Sequence, residues 1–192
     1  MSTITEAPPL TPAARRILAA ASELFYHRGI TSVGVELVAE QAGTTKKTIY
    51  DRFGSKEGLV VAYLEARARR WQAHVTDHVE QVDGPASDRV VAVIDALESW
   101  LEMADRGCGF VAAYAELSTS SERATAVVRA EKEWMRGLFG RLLAQGGIED
   151  DGLLARQLAL VQEGAVVEST AGGSSYALDD ARAVMRALVE GR

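Results

Sequence analysis

The chain has 192 residues, 47% of them hydrophobic and 25% charged, a balance that fits a folded globular protein and excludes a disordered one. Its net charge of −6 excludes the strongly basic architectural DNA proteins that read shape alone, and its single cysteine, Cys108, excludes an internal disulfide framework. No apolar run approaches the roughly 20 residues of a membrane span, and Met1 to Leu10 lacks the basic flank and apolar core of a signal peptide, so a cytoplasmic protein with no membrane partner is expected.

The charge is unevenly placed. Residues 1–56 carry a net +2 and the remainder −8, as expected for a nucleic-acid-facing module on an acidic body. The pattern is helical almost throughout, because strand-like alternation is lacking and three of the four prolines lie before position 13. Residues 1–10 are expected to be a disordered tail, 11–56 a three-helix unit and 57–192 a second helical unit.

Thr11 followed by Pro12 marks the first helix start, a capping hydroxyl before a proline whose missing N–H costs nothing there. Ala14, Ile17, Leu18, Ala21, Leu24 and Phe25 form its apolar stripe, and Gly29 supplies the stop. A short second helix is predicted from Val35 to Ala42, ended by Gly43. Thr45 caps a third from Lys46 to Phe53, with Ile49 and Phe53 inward. A long fourth helix runs from about Ser55 to Val82 and is broken at Asp83-Gly84-Pro85. Five more follow, at about Ser87–Asp105, Phe110–Leu117, Ser121–Gln145, Asp151–Thr170 and Asp179–Glu190.

Two short helices about a tight glycine turn suit a helix-turn-helix, in which one helix braces the other as it enters the major groove. Thr45, Lys46, Lys47, Thr48, Tyr50 and Arg52 are left outward, and hydroxyls and cations at a helix N-terminus suit phosphate oxygens.

The run Gly43-Thr44-Thr45-Lys46-Lys47-Thr48-Ile49-Tyr50-Asp51-Arg52-Phe53-Gly54-Ser55-Lys56-Glu57-Gly58-Leu59 closely resembles the signature of the tetracycline-repressor-like (TetR) family of transcriptional regulators. Leu24-Phe25 before Gly29 to Val33, and Val38-Ala39 before Ala42-Gly43, extend the likeness over about residues 12–64. The resemblance implies an all-α fold, with a helix-turn-helix DNA-binding domain joined by a long helix to a domain for effector binding and dimerisation. It implies a homodimer bound to a palindromic double-stranded DNA operator, and a repressor released by a small-molecule effector. By position, Thr45 caps the third helix and touches phosphate, Thr48 and Tyr50 contact the DNA backbone, and Lys56 binds phosphate. Lys46, Lys47 and Arg52 stand where the family varies and set operator preference. Thr44 replaces the usual aliphatic residue, and Glu36 stands where some members place a cation, so no contact is carried over there.

In the second unit Trp71, Trp100, Met103, Phe110, Tyr114 and Trp134, with polar His74, Glu116, Gln162 and Glu163, are expected to line an apolar effector pocket. Most of the large apolar residues there must also serve as bundle core. His74 and His78 stand four apart on one helix without an evident third ligand, so surface or pocket histidines are expected in place of a metal site. Cys108 is expected to be a small buried residue in place of a redox sensor. Two C-terminal stripes are expected to pair across a two-fold axis: Leu158, Val161, Gly164, Ala165 and Glu168, then Val184 and Leu188. No cofactor is implied. An enzyme is the main rival class, but no Ser-His-Asp order, phosphate-cradling glycine loop or zinc-ligand set is present. A ligand-binding protein with a vestigial head is the other rival, disfavoured by intact Thr45, Tyr50 and Lys56.

Overall fold

The computed structural model describes residues 10–102 and 106–191, which form nine helices and no strand. These are α1 (Pro12–Arg28), α2 (Val35–Gln41), α3 (Lys46–Phe53), α4 (Lys56–Glu80), α5 (Ala86–Glu102), α6 (Gly109–Leu117), α7 (Glu122–Gln145), α8 (Leu153–Thr170) and α9 (Ala177–Glu190). The all-α class and the helix order match the sequence reading. The tail before residue 10 and Met103 to Asp105, expected to end the fifth helix, lie outside the described residues.

Hydroxyl and carboxylate side chains cap several of the helix starts. Thr11 Oγ1 accepts the Ala14 N–H at 3.3 Å ahead of Pro12, and Ser121 Oγ accepts the Ala124 N–H at 3.1 Å. Ser55, expected inside the fourth helix, instead caps it by accepting the Gly58 N–H at 2.9 Å. The eighth helix begins at Leu153 and not at Asp151, because both acids before it bond to its free amides. Asp151 accepts from Leu153, and Asp150 from Leu154 and Ala155, each at 3.0 Å. Carboxylates at that end also complement the helix dipole.

Two apolar cores share α4 as a common wall. The first gathers Ile17, Phe25, Val38, Ile49, Leu59 and Leu64 with Phe110, Leu117 and Val128 of α6 and α7. The second gathers Trp71, Val75, Ile94, Phe139, Leu158 and Met185. The head core therefore continues past residue 56 into the first three turns of α4, to Ala68. Helix α4 packs against α5 and α7, while α8 lies on α7 and α9, and α9 closes back onto α5. Among the described residues no helix is long and apolar enough to cross a membrane.

Candidate nucleic-acid interface and ligand cavity

The turn before α3 depends on Gly43, whose φ of +59° is a conformation that a side chain resists. After α3, Gly58 lies so close to the Phe53 carbonyl that any Cβ would clash with it, which folds α4 tightly back over the end of α3. Within α3, Ile49 is fully buried and Phe53 packs partly on the head core. Thr45 accepts the Thr48 N–H at 3.2 Å as the N-cap, and the two hydroxyls lie 3.0 Å apart. Anchored there, the helix exposes Thr45, Lys46, Lys47, Tyr50 and Arg52, with Tyr50 46% exposed and Thr48 half-buried.

The cations on this face are not equivalent. Lys46 pairs with Glu36 of α2 at 2.7 Å, and Lys47 with Asp51 at 2.9 Å. The hydrogen bond between Glu36 and Lys46 lowers the carboxyl pKa and raises that of the ammonium. Such pairs are weak in water and can be exchanged for phosphate at small cost. Arg52 has no ion-pair partner among the described residues. Lys56 donates a long 3.4 Å bond to the Thr31 carbonyl at the start of α4. Glu36 thus holds Lys46 in position.

A cavity with about 400 Å³ of space not filled by atoms, partly open to solvent, lies between α4, α5, α6, α7 and α8. Its apolar wall includes Trp71, Trp100 and Phe110, three of the residues named above for an effector pocket, and Trp71 meets Trp100 edge-on with ring centroids 5.4 Å apart. Other expected residues lie elsewhere. His74 faces α5, where its Nε2 lies 2.9 Å from the Ala96 carbonyl and 3.0 Å from Ser99 Oγ. His78 joins the same cluster through Ser99. Tyr114 is exposed and lines a separate surface groove between α6 and α7, with Val111, Val128, Arg129, Lys132 and Arg136. Trp134 packs on the second core beside Arg141. Met103 lies outside the described residues.

Glu163 reaches the cavity through Lys132, which it binds at 2.7 Å. Lys132 also lies 3.2 Å from the almost fully buried Glu131 and 3.8 Å from Cys108 Sγ. Burial raises the Glu131 pKa and Lys132 lowers it, with a net rise. Burial opposes the charge on Lys132, but the neighbouring Cys108 and carboxylates outweigh it and raise its pKa. Gln162, expected there, lines the cavity together with Arg67, Cys108, Glu131 and Lys132, which were not expected there. A signal for Glu131 and Gln162 was present in the sequence. Glu131 interrupts the α7 stripe of Ala124, Val128, Met135 and Leu138, and Gln162 interrupts the α8 stripe of Leu158 and Ala165.

The turn that lines the cavity also holds the head. Arg106 donates from its backbone N–H to the Tyr26 hydroxyl at 2.9 Å and from its guanidinium to the Tyr26 carbonyl at 2.8 Å. Arg67 stacks over the Tyr26 ring at 4.5 Å. Nearby, Glu116 of α6, expected in the pocket, instead accepts the Thr31 N–H at 2.7 Å and its hydroxyl at 2.8 Å. Burial pushes the Glu116 pKa up, but these bonds outweigh it and lower the pKa.

On the far side, the α8 and α9 residues expected at an interface divide into two groups. Leu158 and Ala165 are buried in the chain's own core, a correction that follows from α8 facing α7 on that side. Val161 and Leu188 are partly buried against the same core. Gly164 and Glu168 are exposed, and Val184 is 46% exposed. Leu153, Leu160 and Val167 continue this apolar surface, and Leu160 is 72% exposed.

Residues 17–63 match the family model of bacterial regulatory proteins, tetR family. The chain is 35% identical over 85 residues to an uncharacterised HTH-type transcriptional regulator of Mycobacterium tuberculosis, covering 44% of this chain and 42% of that one. It is 30% identical over 76 residues to the HTH-type transcriptional repressor NemR of Escherichia coli, covering 40% and 38%. These matches span about two-fifths of the relatives' own length. The fold is shared more widely: the crystal structure of a TetR-family transcriptional regulator from Streptomyces coelicolor superposes with a TM-score of 0.77, at 29% identity over 93% of each chain. Residues 17–63 thus carry the head of the tetR family of bacterial regulatory proteins, and nearly the whole chain shares the fold of a TetR-family transcriptional regulator.

Proposed function

We propose that the chain is a sequence-specific DNA-binding transcriptional regulator, and that it acts as a homodimer whose two α3 helices enter successive major grooves of a palindromic operator. The observation that carries this is the exposed Thr45, Lys47, Tyr50 and Arg52 face on a short helix held rigidly by buried Ile49. Thr45, Thr48, Tyr50 and Lys56 bind the phosphate backbone and fix the register. Lys46, Lys47 and Arg52 read base edges, with Arg52 foremost because it breaks no ion pair to do so. The paired copy docks on the exposed apolar face of Leu153, Leu160, Gly164, Val167 and Val184, since two-fold proteins read two-fold sites.

An effector in the α4–α8 cavity would lower operator affinity by shifting the turn from Arg106 to Gly109, which grips Tyr26 of the head. The coupling requires the effector to prefer the shifted conformer, because equal affinity for both moves nothing. Repression follows where the operator overlaps a promoter.

The test is selection of bound sites from random DNA by the purified chain, followed by affinity measurements on the enriched duplex over a salt series. Enrichment of an inverted repeat whose affinity falls steeply with salt is expected. Absence of any enriched sequence, even at low ionic strength, would overturn the reading.

A further inference from the structure

Two residues that line the cavity carry buried acceptors left unsatisfied by the described residues. Glu131 Oε2 and Gln162 Oε1 are buried without a hydrogen-bond partner among the described residues, and the two side chains are 2% and 4% exposed. Lys132 Nζ is near enough to Glu131 to neutralise it, at 3.2 Å, but is not aligned to donate to that oxygen. Burying an unpaired acceptor is costly, so such atoms need a purpose. Both atoms are acceptors, and what answers an acceptor is an O–H or N–H. An anionic ligand would set further lone pairs against them.

The charges around this end of the cavity already balance. Arg67 and Lys132 supply two cations, and Glu131 and Glu163 two carboxylates. A ligand with a net charge of either sign would bring an uncompensated charge into a desolvated place. The remaining wall is aromatic. Trp71 offers it a ring face without a donor, because its Nε1–H already points at Met135 Sδ, 3.2 Å away. In the present conformation the centres of water-sized molecules can occupy only about 30 Å³ of the cavity, enough for about two waters by the one-probe-sphere criterion. A ligand larger than this must part the helices that also hold the α5–α6 turn.

We infer that the effector is an uncharged, largely aromatic molecule of one or two rings bearing an O–H or N–H donor, which the Glu131 carboxyl and the Gln162 amide oxygen receive while Trp71, Trp100 and Phe110 enclose the ring. This rests on the reading of the cavity as the effector site.

The experiment titrates four matched probes into the full-length chain without DNA, by calorimetry and by quenching of tryptophan fluorescence. The probes are 2-naphthol, 2-methylnaphthalene, 2-naphthoate and 2-naphthylmethylammonium. The naphthol is expected to bind at least about tenfold more tightly than the hydrocarbon, in keeping with one added hydrogen bond to a charged acceptor, and more tightly than either ion. Gln162→Leu removes one acceptor and is expected to cut that preference at least about threefold. Its melting temperature should not fall, because the substitution also removes an unsatisfied buried oxygen. Gln162→Met serves as a second variant with the same expectation should the leucine pack poorly.

Tightest binding of either ion, equal binding of naphthol and hydrocarbon, or no binding of any probe at millimolar concentration would overturn the inference. So would an unchanged preference in both variants. Because no DNA is used, each of these results is separable from a failure of operator recognition.

Discussion

The head and the cavity place their functional side chains in opposite environments. On α3 most of the proposed DNA contacts are exposed, and its lysines are held only in water-facing ion pairs, Lys46–Glu36 and Lys47–Asp51. In the cavity wall Glu131 and Gln162 are almost wholly desolvated, and one acceptor on each has no hydrogen-bond partner among the described residues. A surface that must grip a polyanion can keep its cations hydrated and release weak internal pairs when DNA arrives. A pocket that must discriminate small molecules gains selectivity from polar atoms costly to leave unmatched. The two meet at the turn from Arg106 to Gly109, which binds Tyr26 on one side and lines the cavity on the other.

The largest expected effect comes from separating the two heads. Leu160 is mostly exposed, so Leu160→Arg should leave the fold intact while placing a charge in the proposed dimer seam. Sedimentation should then show monomers, and operator affinity should fall about 10²–10⁴-fold with the loss of linked binding. A variant that stays dimeric would assign the interface elsewhere.

Within the head, Arg52→Ala should weaken the preferred operator about tenfold to a hundredfold and relax the preference at one base position, as expected for a lost bidentate contact of 1–3 kcal/mol. Lys56→Ala should weaken all sequences alike and reduce the salt slope by about one. Anisotropy titrations on matched and scrambled duplexes separate the two outcomes, and identical behaviour of the two variants would erase the distinction between reading and gripping. Thr45→Ala removes the α3 cap and should cost about 1 kcal/mol of stability, measurable by urea unfolding.

The smallest effect is a pair of opposed pH responses. Glu116 is more acidic when folded because it accepts from Thr31, so its stabilisation of the head–body contact is present above the ordinary carboxylate range. That stabilisation is lost as pH falls through its lowered folded value. Glu131 behaves in reverse. Burial raises its pKa, so its contribution is complete below the ordinary range and is lost as pH rises through the folded value. Glu116→Gln should abolish the acid-side loosening, seen as faster hydrogen exchange at the Thr31 amide, and Glu131→Gln the loss on the other side, seen in the melting temperature. Both variants retaining the wild-type pH profile would contradict the assignments.

What the sequence revealed follows the same division. The head was legible because its parts are local: a cap at Thr45, a turn glycine at Gly43 and an anchor at Ile49 lie within seven residues. The helix order was legible from apolar spacing and glycine stops, with errors of one or two residues where Ser55, Asp150 and Asp151 cap helices from outside. The cavity was not, because five helices distant in sequence build it. An aromatic residue does not disclose whether it faces a void, as Trp71 does, or a packed core, as Trp134 does. Lone polar residues within apolar stripes, Glu131 and Gln162, were the better guide. The face of α8 was misjudged at Leu158 and Ala165 because a stripe wide enough for two partners does not say which side meets α7.

The central claim is that two rigidly spaced α3 helices read two half-sites, and a change in half-site spacing tests it most directly. Affinity is measured for the selected operator, for the same duplex with five base pairs inserted at its centre, and for each half-site alone. Half a helical turn, about five base pairs, carries one half-site to the opposite face of the DNA, so the lengthened operator should bind no better than a single half-site. Undiminished affinity for the lengthened operator would contradict the account.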